Sequence, residues 1–420
     1  MISQNHMANE PQADANERDH KKLGKELDLF TFSDSVGKGL PLWTPKGSAI
    51  RRELERFIVD EEIRRGYQHV YTPDIAKLDL YRKSGHYPHY KDSMYAPIVI
   101  DEEEFMLRPM TCPHHFELYL DKPHSYRELP MRIAELAKLY RYEQSGELMG
   151  LQRVRSFCLA DAHIICASEE QAADEVSKAL DLIVYVASVF GLIQGENYHF
   201  RLSLGDRTNT EKYYKNDAAW EKGEKLLREL LEKRGEKFEE AKDEAAFYGP
   251  KIDIQMKNVN GKEDTAFTVQ YDFCMPERFN LTYTGADGAQ HRAFVVHRSS
   301  IGAIERIVAF LIEHYAGNFP LWLSPVQAKI LPVSEKHAAY AQEILEQFRA
   351  ADIRVELSAD DSLGKRIRGA KMEKVPYVLV VGDAEVEAKT ATLEGRAGKI
   401  GALPVADIIA RLKEEIRTHQ

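Results

Sequence analysis

Residues 129–166, LPMRIAELAKLYRYEQSGELMGLQRVRSFCLADAHIIC, gather the side chains best suited to chemistry. An apolar strand ends on Arg141, Tyr142 and Glu143. A Ser145-Gly146 turn follows, and a return strand carries Arg153, Arg155 and Phe157 towards Asp161 and His163. Such a hairpin can clamp a nucleoside triphosphate. Guanidinium forks grip phosphate oxygens, a carboxylate accepts the amino hydrogens of a purine, and an aromatic ring offers the base a face. A single Arg-x-Glu is more often a solvated surface pair, so its neighbours must carry the argument.

The elements that would position this hairpin are legible around it. A helix capped by Gly47 or Ser48 carries Ile50, Leu54, Phe57 and Ile58 at i, i+4, i+7 and i+8. A strand over 67–72 follows and stops at Pro73. Helices are predicted over 172–190 and 216–234, antiparallel strands from Tyr248 to Val296 with turns at Gly261 and 285–288, and a helix over 303–314. Beyond Pro320 and Pro325 the pattern changes to alternating strands (327–333, 353–357, 377–381) and helices (335–350, 362–373, 406–416), which predicts a small α/β domain with a parallel or mixed sheet.

These segments together resemble the class II aminoacyl-tRNA synthetases. The hairpin resembles their motif 2. Gly47-Ser48-Ala49-Ile50-Arg51-Arg52-Glu53-Leu54, running to Tyr71-Thr72-Pro73, resembles motif 1, and Gly302-Ala303-Ile304-Glu305-Arg306 resembles motif 3. Arg108-Pro109-Met110-Thr111-Cys112-Pro113, Asp161-Ala162-His163, Phe247-Tyr248-Gly249-Pro250-Lys251-Ile252, Thr268-Val269-Gln270 and His297-Arg298 are similar to segments of the threonyl enzymes of that class.

The resemblance implies an α+β catalytic domain over 20–322, an antiparallel sheet flanked by helices in the class II synthetase fold. It implies an α/β mixed-sheet anticodon-binding domain over 323–420. Residues 1–19 are expected to be a disordered tail. It further implies ligation of L-threonine to tRNA(Thr) through a threonyl-adenylate, with ATP and Mg²⁺.

Carried over residue by residue, Arg141 contacts the α-phosphate and the amino-acid carboxylate, Glu143 the adenine amino group and Arg153 the outer phosphate. Phe157 and Arg306 sandwich the base. Gln270 touches nucleotide, Lys251 lies near the phosphates, and Tyr248 and Asp161 contact threonine. His86 stands near the terminal ribose of the tRNA, where an imidazole titrating near neutral pH could take a proton. Glu387 and Arg396 fall where the anticodon is read. Cys112, His163 and His297 hold one zinc ion per subunit, an assignment their separations of 51 and 134 residues do not themselves support. Zinc would answer a real difficulty, because an apolar pocket separates near-isosteres such as threonine and valine only about a hundredfold. Leu159 departs from the pattern, standing where some threonyl enzymes have a glutamine facing the substrate carboxylate. The motif 1 helix and strand imply a homodimer. Threonyl enzymes commonly carry N-terminal editing domains, and none is expected here.

Composition agrees. The 420 residues are 44% apolar and 30% charged with a net charge of −10, which argues against indiscriminate nucleic-acid binding but not against a local basic face. No apolar run is long enough for a membrane span. The polar start excludes a secretory leader. Four cysteines without a Cys-x-x-Cys pair suit a reducing cytoplasm. No Gly-x4-Gly-Lys loop occurs, which excludes a P-loop NTPase. Two other readings stand beside the ligase: a non-catalytic paralogue that binds RNA or amino acid as a regulator, and a synthetase for serine or proline.

Overall fold

The structure, a computed structural model, describes residues 15–419. It forms two compact units, one over residues 32–41 and 55–308, the other of the described residues up to Thr31 with Leu42–Leu54 and the chain from Ala309 on.

The first unit is organised by an eight-stranded sheet. In chain order its main elements are α1 (Pro45–Arg64, whose C-terminal part belongs here), β1 (Gln68–His69), α2 (Cys112–Leu120), β2 (Met131–Tyr140), β3 (Ser156–Cys166), α3 (Glu169–Val189), β4 (Tyr198–Leu204), α4 (Asp217–Lys233), β5 (Phe238–Lys242), β6 (Lys251–Lys257), β7 (Glu263–Asp272), β8 (Phe294–Ala303) and α5 (Ile304–His314). The strand order is β1-β2-β3-β8-β7-β6-β4-β5, antiparallel except at the two edges. The predicted antiparallel sheet with flanking helices is therefore present.

Local chemistry explains the boundaries. Helix α1 begins at Pro45, three residues before the expected Ser48, because Thr44 Oγ1 accepts from Gly47 N at 3.2 Å and proline suits the first helical position. Its predicted apolar stripe is buried: Ile50, Leu54 and Ile58 are fully so. Asn216 and Ser168 cap α4 and α3 through side-chain oxygens. The strand expected over 67–72 pairs only at Gln68–His69. Arg298 of β8 and Glu62 of α1 form a fully buried ion pair at 2.7 Å, with the Arg298 guanidinium 4.1 Å from the Tyr67 ring centroid.

Gly302, beside the cavity described below, adopts φ +72°, and a Cβ there would lie 2.1 Å from the Ala266 carbonyl oxygen. Strain and overlap together lead us to expect Gly302→Ala to lose roughly 2–4 kcal/mol in urea unfolding.

In the second unit Ala328–Pro332, Val355–Leu357 and Tyr377–Val381 pair in parallel, and Thr390–Gly395 and Gly398–Pro404 add an antiparallel hairpin. Helices Ala338–Ala350, Leu363–Met372 and Val405–Arg417 pack beside this mixed sheet. The tail expected over 1–19 lies outside the described residues as far as position 14. Residues 15–18 are helical instead, tied down because Arg18 donates to the carbonyls of Glu313 and His314 at 2.9 and 2.6 Å, while Asp19 caps the helix His20–Glu26. No described helix is both long and apolar enough to cross a membrane.

Candidate active site

Register decides which residues meet, because side chains opposite one another on neighbouring strands share a face. Gln270 of β7 pairs with His297 of β8, and His297 with His163 of β3. The next row is Thr268, Ser299 and Asp161, continuing to Glu135 on β2. Cys112 enters from the first turn of α2. Its sulfur and one nitrogen of each imidazole all lie within 4.8 Å of one another, and all three residues are buried.

The chemistry of this trio fits zinc, which takes thiolate and imidazole ligands at about 2.0–2.3 Å. Among the described residues no fourth metal-binding side chain joins the cluster, the pattern of a site that keeps a position open for a reactant. Burial, Asp161 and Asp272 together push the Cys112 thiol well above its ordinary value, so it becomes a thiolate only opposite a cation. Burial, His297 and other nearby cations pull His163 well below its ordinary value, leaving the neutral imidazole a ligand must be.

The trio lines a cavity of about 270 Å³. Met110, Arg141, Glu143, Arg153, Phe157, Leu159, Asp161, Tyr248, Gln270, Gly302 and Arg306 are also among its walls. Among the described residues the Arg141 guanidinium meets Met110 Sδ at 3.3 Å and the Phe157 ring, whose centroid is 5.2 Å away. Arg306 donates to two carbonyls, Gln152 O at 3.1 Å and Thr265 O at 2.7 Å. Burial pulls both guanidiniums below their ordinary pKa. Among the described residues neither forms an ion pair, so both cations face the cavity with anion-binding capacity in hand.

The expected site residues also engage one another. Arg141 lies over Phe157, with its guanidinium 5.2 Å from the ring centroid. Glu143 and Arg153 pair with each other at 2.9 Å. Tyr248 stacks on His297 with centroids 4.9 Å apart and donates to Gln270. Lys251 does not line the cavity. It sits one strand further out, opposite Gln270, with its ammonium 2.9 Å from Asp253. His86 lines an adjoining hollow with Tyr90, Met110, Arg141 and Arg153. Its expected titration near neutrality is corrected: burial first, then His297 and Arg141, push it down to about 3. Its Nδ1 is 2.7 Å from Ser84 Oγ and its Nε2 3.7 Å from Cys112 Sγ. In the C-terminal unit Glu387 is exposed, whereas Arg396 donates to Phe319 O at 2.7 Å and Lys374 O at 2.6 Å. Its guanidinium is thus already engaged by backbone.

Sequence reading missed the polar groups behind the trio: His115, Glu135, Arg108 and Asp272, each at most 2% exposed. Glu135 alone left a signal, as a lone acid in the apolar run Ile133-Ala134-Glu135-Leu136-Ala137. Burial by itself would raise its carboxyl, but hydrogen bonds from His115 and Thr72 and the Arg108 charge outweigh that and lower it to about 2. A depressed carboxyl stabilises the fold above its unfolded pKa near 4.5, and that contribution disappears as pH falls towards 2. Glu135→Gln is therefore expected to destabilise at pH 7, with the gap to the parent narrowing steadily below pH 4.5 in denaturant melts.

Comparison with known proteins agrees with this architecture. Residues 95–315 match the tRNA synthetase class II core domain (G, H, P, S and T), and residues 327–415 an anticodon binding domain. The chain is similar to the threonine–tRNA ligase of Geobacillus sp. (strain WCH70), with 51% identity over 96% of this chain and 63% of that protein. It is also similar to the threonine–tRNA ligase of Staphylococcus carnosus (strain TM300), with 51% identity over 88% of this chain and 57% of that protein. The chain thus spans less than two thirds of the length of these relatives. The crystal structure of the RNA binding domain of threonyl-tRNA synthetase from Cryptosporidium parvum Iowa II superposes with a TM-score of 0.88 at 34% identity, covering 94% of this chain and 98% of that one.

Proposed function

This chain belongs to the class II tRNA synthetase core family, and on that premise we propose that it joins L-threonine to tRNA(Thr) at the expense of ATP. The observation that carries this reading is the convergence of Cys112, His163 and His297 on a cavity whose walls also hold Arg141, Arg153 and Arg306.

In the first step a threonine carboxylate oxygen attacks the α-phosphorus of ATP in line. The bond to the β-phosphate oxygen breaks, pyrophosphate leaves with Mg²⁺, and threonyl-adenylate remains. Arg141 stabilises the charge on the α-phosphate oxygens as the transition state forms, and Arg153 draws off the outer phosphates once its pairing with Glu143 yields to them. Glu143 then accepts from the adenine amino group, with Phe157 on one face of the base and Arg306 on the other. Lys251, one strand out, adds positive field rather than contact. Cys112, His163 and His297 would hold a zinc ion, which would supply a Lewis acid able to favour a β-hydroxy amino acid over valine. Asp161, whose carboxyl is pushed up by burial, accepts from the substrate hydroxyl, and Tyr248 closes over the amino acid.

In the second step a terminal ribose hydroxyl of the tRNA attacks the activated carbonyl, the acyl–phosphate bond breaks, and the hydroxyl proton passes to a phosphate oxygen of the departing AMP. His86 presents a neutral imidazole to that ribose. Leu159 offers the carboxylate no donor, which lowers affinity and leaves Arg141 to hold it. The 327–415 domain supports a tRNA partner, with Glu387 the more available anticodon contact and Arg396 competing with backbone carbonyls. We take the chain to act in the cytoplasm as a homodimer through the motif 1 helix and strand. Sedimentation is expected to give twice the chain mass; an active monomer would refute the dimer.

Threonine-dependent pyrophosphate–ATP exchange tests the proposal, run with threonine, serine, proline and valine in the presence of Mg²⁺ and Zn²⁺. Exchange with threonine, weaker exchange with serine and none with proline or valine is expected. No exchange with any of them would favour the RNA-binding regulator.

A further inference from the structure

Behind the trio lies a buried chain of polar contacts that the proposed reaction does not use. His163 Nδ1 is 2.8 Å from His115 Nδ1, with the two rings edge to face at 83°. His115 Nε2 is 3.2 Å from Glu135 Oε2. The carboxylate is anchored in turn. Thr72 Oγ1 donates to Oε2 at 2.7 Å, Thr72 N donates to Oε1 at 3.2 Å, and Arg108 Nη1 lies 3.0 Å from Oε1.

For two neutral imidazoles, donor and acceptor logic places every proton along this chain. An ionised carboxylate only accepts, so His115 Nε2 carries hydrogen. Neutral His115 therefore has a lone pair at Nδ1, and His163 Nδ1 must donate to it. His163 is left with its lone pair on Nε2. The other imidazole of the trio ends the same way without a relay: His297 Nε2 is 2.7 Å from Asp272 Oδ2, and Asp272 Oδ1 accepts from Cys274 N and Met275 N at 2.8 and 2.9 Å. Each ring is thus held by an anchored carboxylate, one directly and one through a second histidine.

We propose that His115 and Glu135 are positioning residues that set the tautomer and ring plane of His163 so that Nε2 presents its lone pair to a zinc ion. The inference rests on the zinc reading above. Outer groups that orient a metal-bound histidine characteristically change metal affinity about 10–100-fold when removed.

Zinc affinity, measured by competition with a chromophoric chelator, tests this on the full chain, with the Co²⁺ absorption spectrum as a second readout. His115→Leu removes both nitrogens at similar size and is expected to raise the zinc dissociation constant about 10–100-fold and to shift the Co²⁺ bands. His115→Gln keeps an acceptor for His163 and a donor for Glu135, and should stay within about threefold of the parent, a rescue that mere space-filling would not give. Circular dichroism melts establish that each variant is folded; if His115→Leu is not, Gln and Glu135→Gln carry the comparison, the latter weakening zinc binding. Zinc bound by His115→Leu as tightly as by the parent, or lost equally in His115→Gln, would overturn the relay while a zinc-binding parent left the underlying reading intact. A parent that takes up no zinc would overturn that reading and the relay with it.

Discussion

Cys112→Ala is expected to lose its zinc and to lower threonine-dependent pyrophosphate exchange by roughly a thousandfold, since the amino acid then lacks the anchor that would hold its carboxylate in line with the α-phosphate. Alanine fits the first turn of α2, and the thiol it replaces is buried within a cluster rather than holding the helix. The fold should therefore survive, with far-ultraviolet circular dichroism unchanged. The residual exchange should also discriminate poorly between threonine and valine, because what is left is a cavity of suitable size and no second anchor for the hydroxyl. Metal content by mass spectrometry and exchange rates with both amino acids check this. A variant that exchanges as fast as the parent would remove the metal from the account.

Arg141→Lys should lower the exchange rate roughly 100- to 1,000-fold, mainly in kcat. Arg141 is half-buried and has no carboxylate within ion-pair distance among the described residues; a thioether and an aromatic ring stand where one would be. A half-buried cation left so is arranged for an anion that arrives with substrate. Lysine keeps the charge but presents a single ammonium point, so it cannot bridge two oxygens in the plane of Phe157. ATP binding measured by calorimetry should weaken much less than turnover, because the interaction matures as charge builds on the α-phosphate. Equal losses in binding and turnover would mark Arg141 as a ground-state contact only.

Much of this was legible in the sequence, for identifiable reasons. Helices with strong periodicity, such as α3 and α4, fell within three residues of expectation, because their apolar faces are explicit; the start of α3 was missed by three residues because its cap, Ser168, went unread. The hairpin from Arg141 to Phe157 was legible because its residues are close in the chain and joined by one turn. The trio was not legible from spacing. His163 and His297 are cross-strand partners, a fact fixed by the pairing of β3 with β8 over a long connection and by nothing local to either residue. Lys251 illustrates the same limit from the other side: the Gln270–Lys251 pairing sets it on the next strand, beside Asp253, and nothing local to Lys251 shows that. His86 shows a second limit. Its residue type suggests a titrating base, but its pKa is set by burial and by cations from three other segments. Arg396 shows a third, since the carbonyls that engage it belong to the ends of elements distant in sequence.

The most direct test of the central claim is the X-ray absorption spectrum at the zinc K-edge of the loaded protein, taken alone, with threonine and with valine. One sulfur at about 2.3 Å with two imidazole nitrogens is expected, and the light-atom shell should gain a donor with threonine beyond what valine adds. A shell without sulfur, or one that responds identically to the two amino acids, would contradict it.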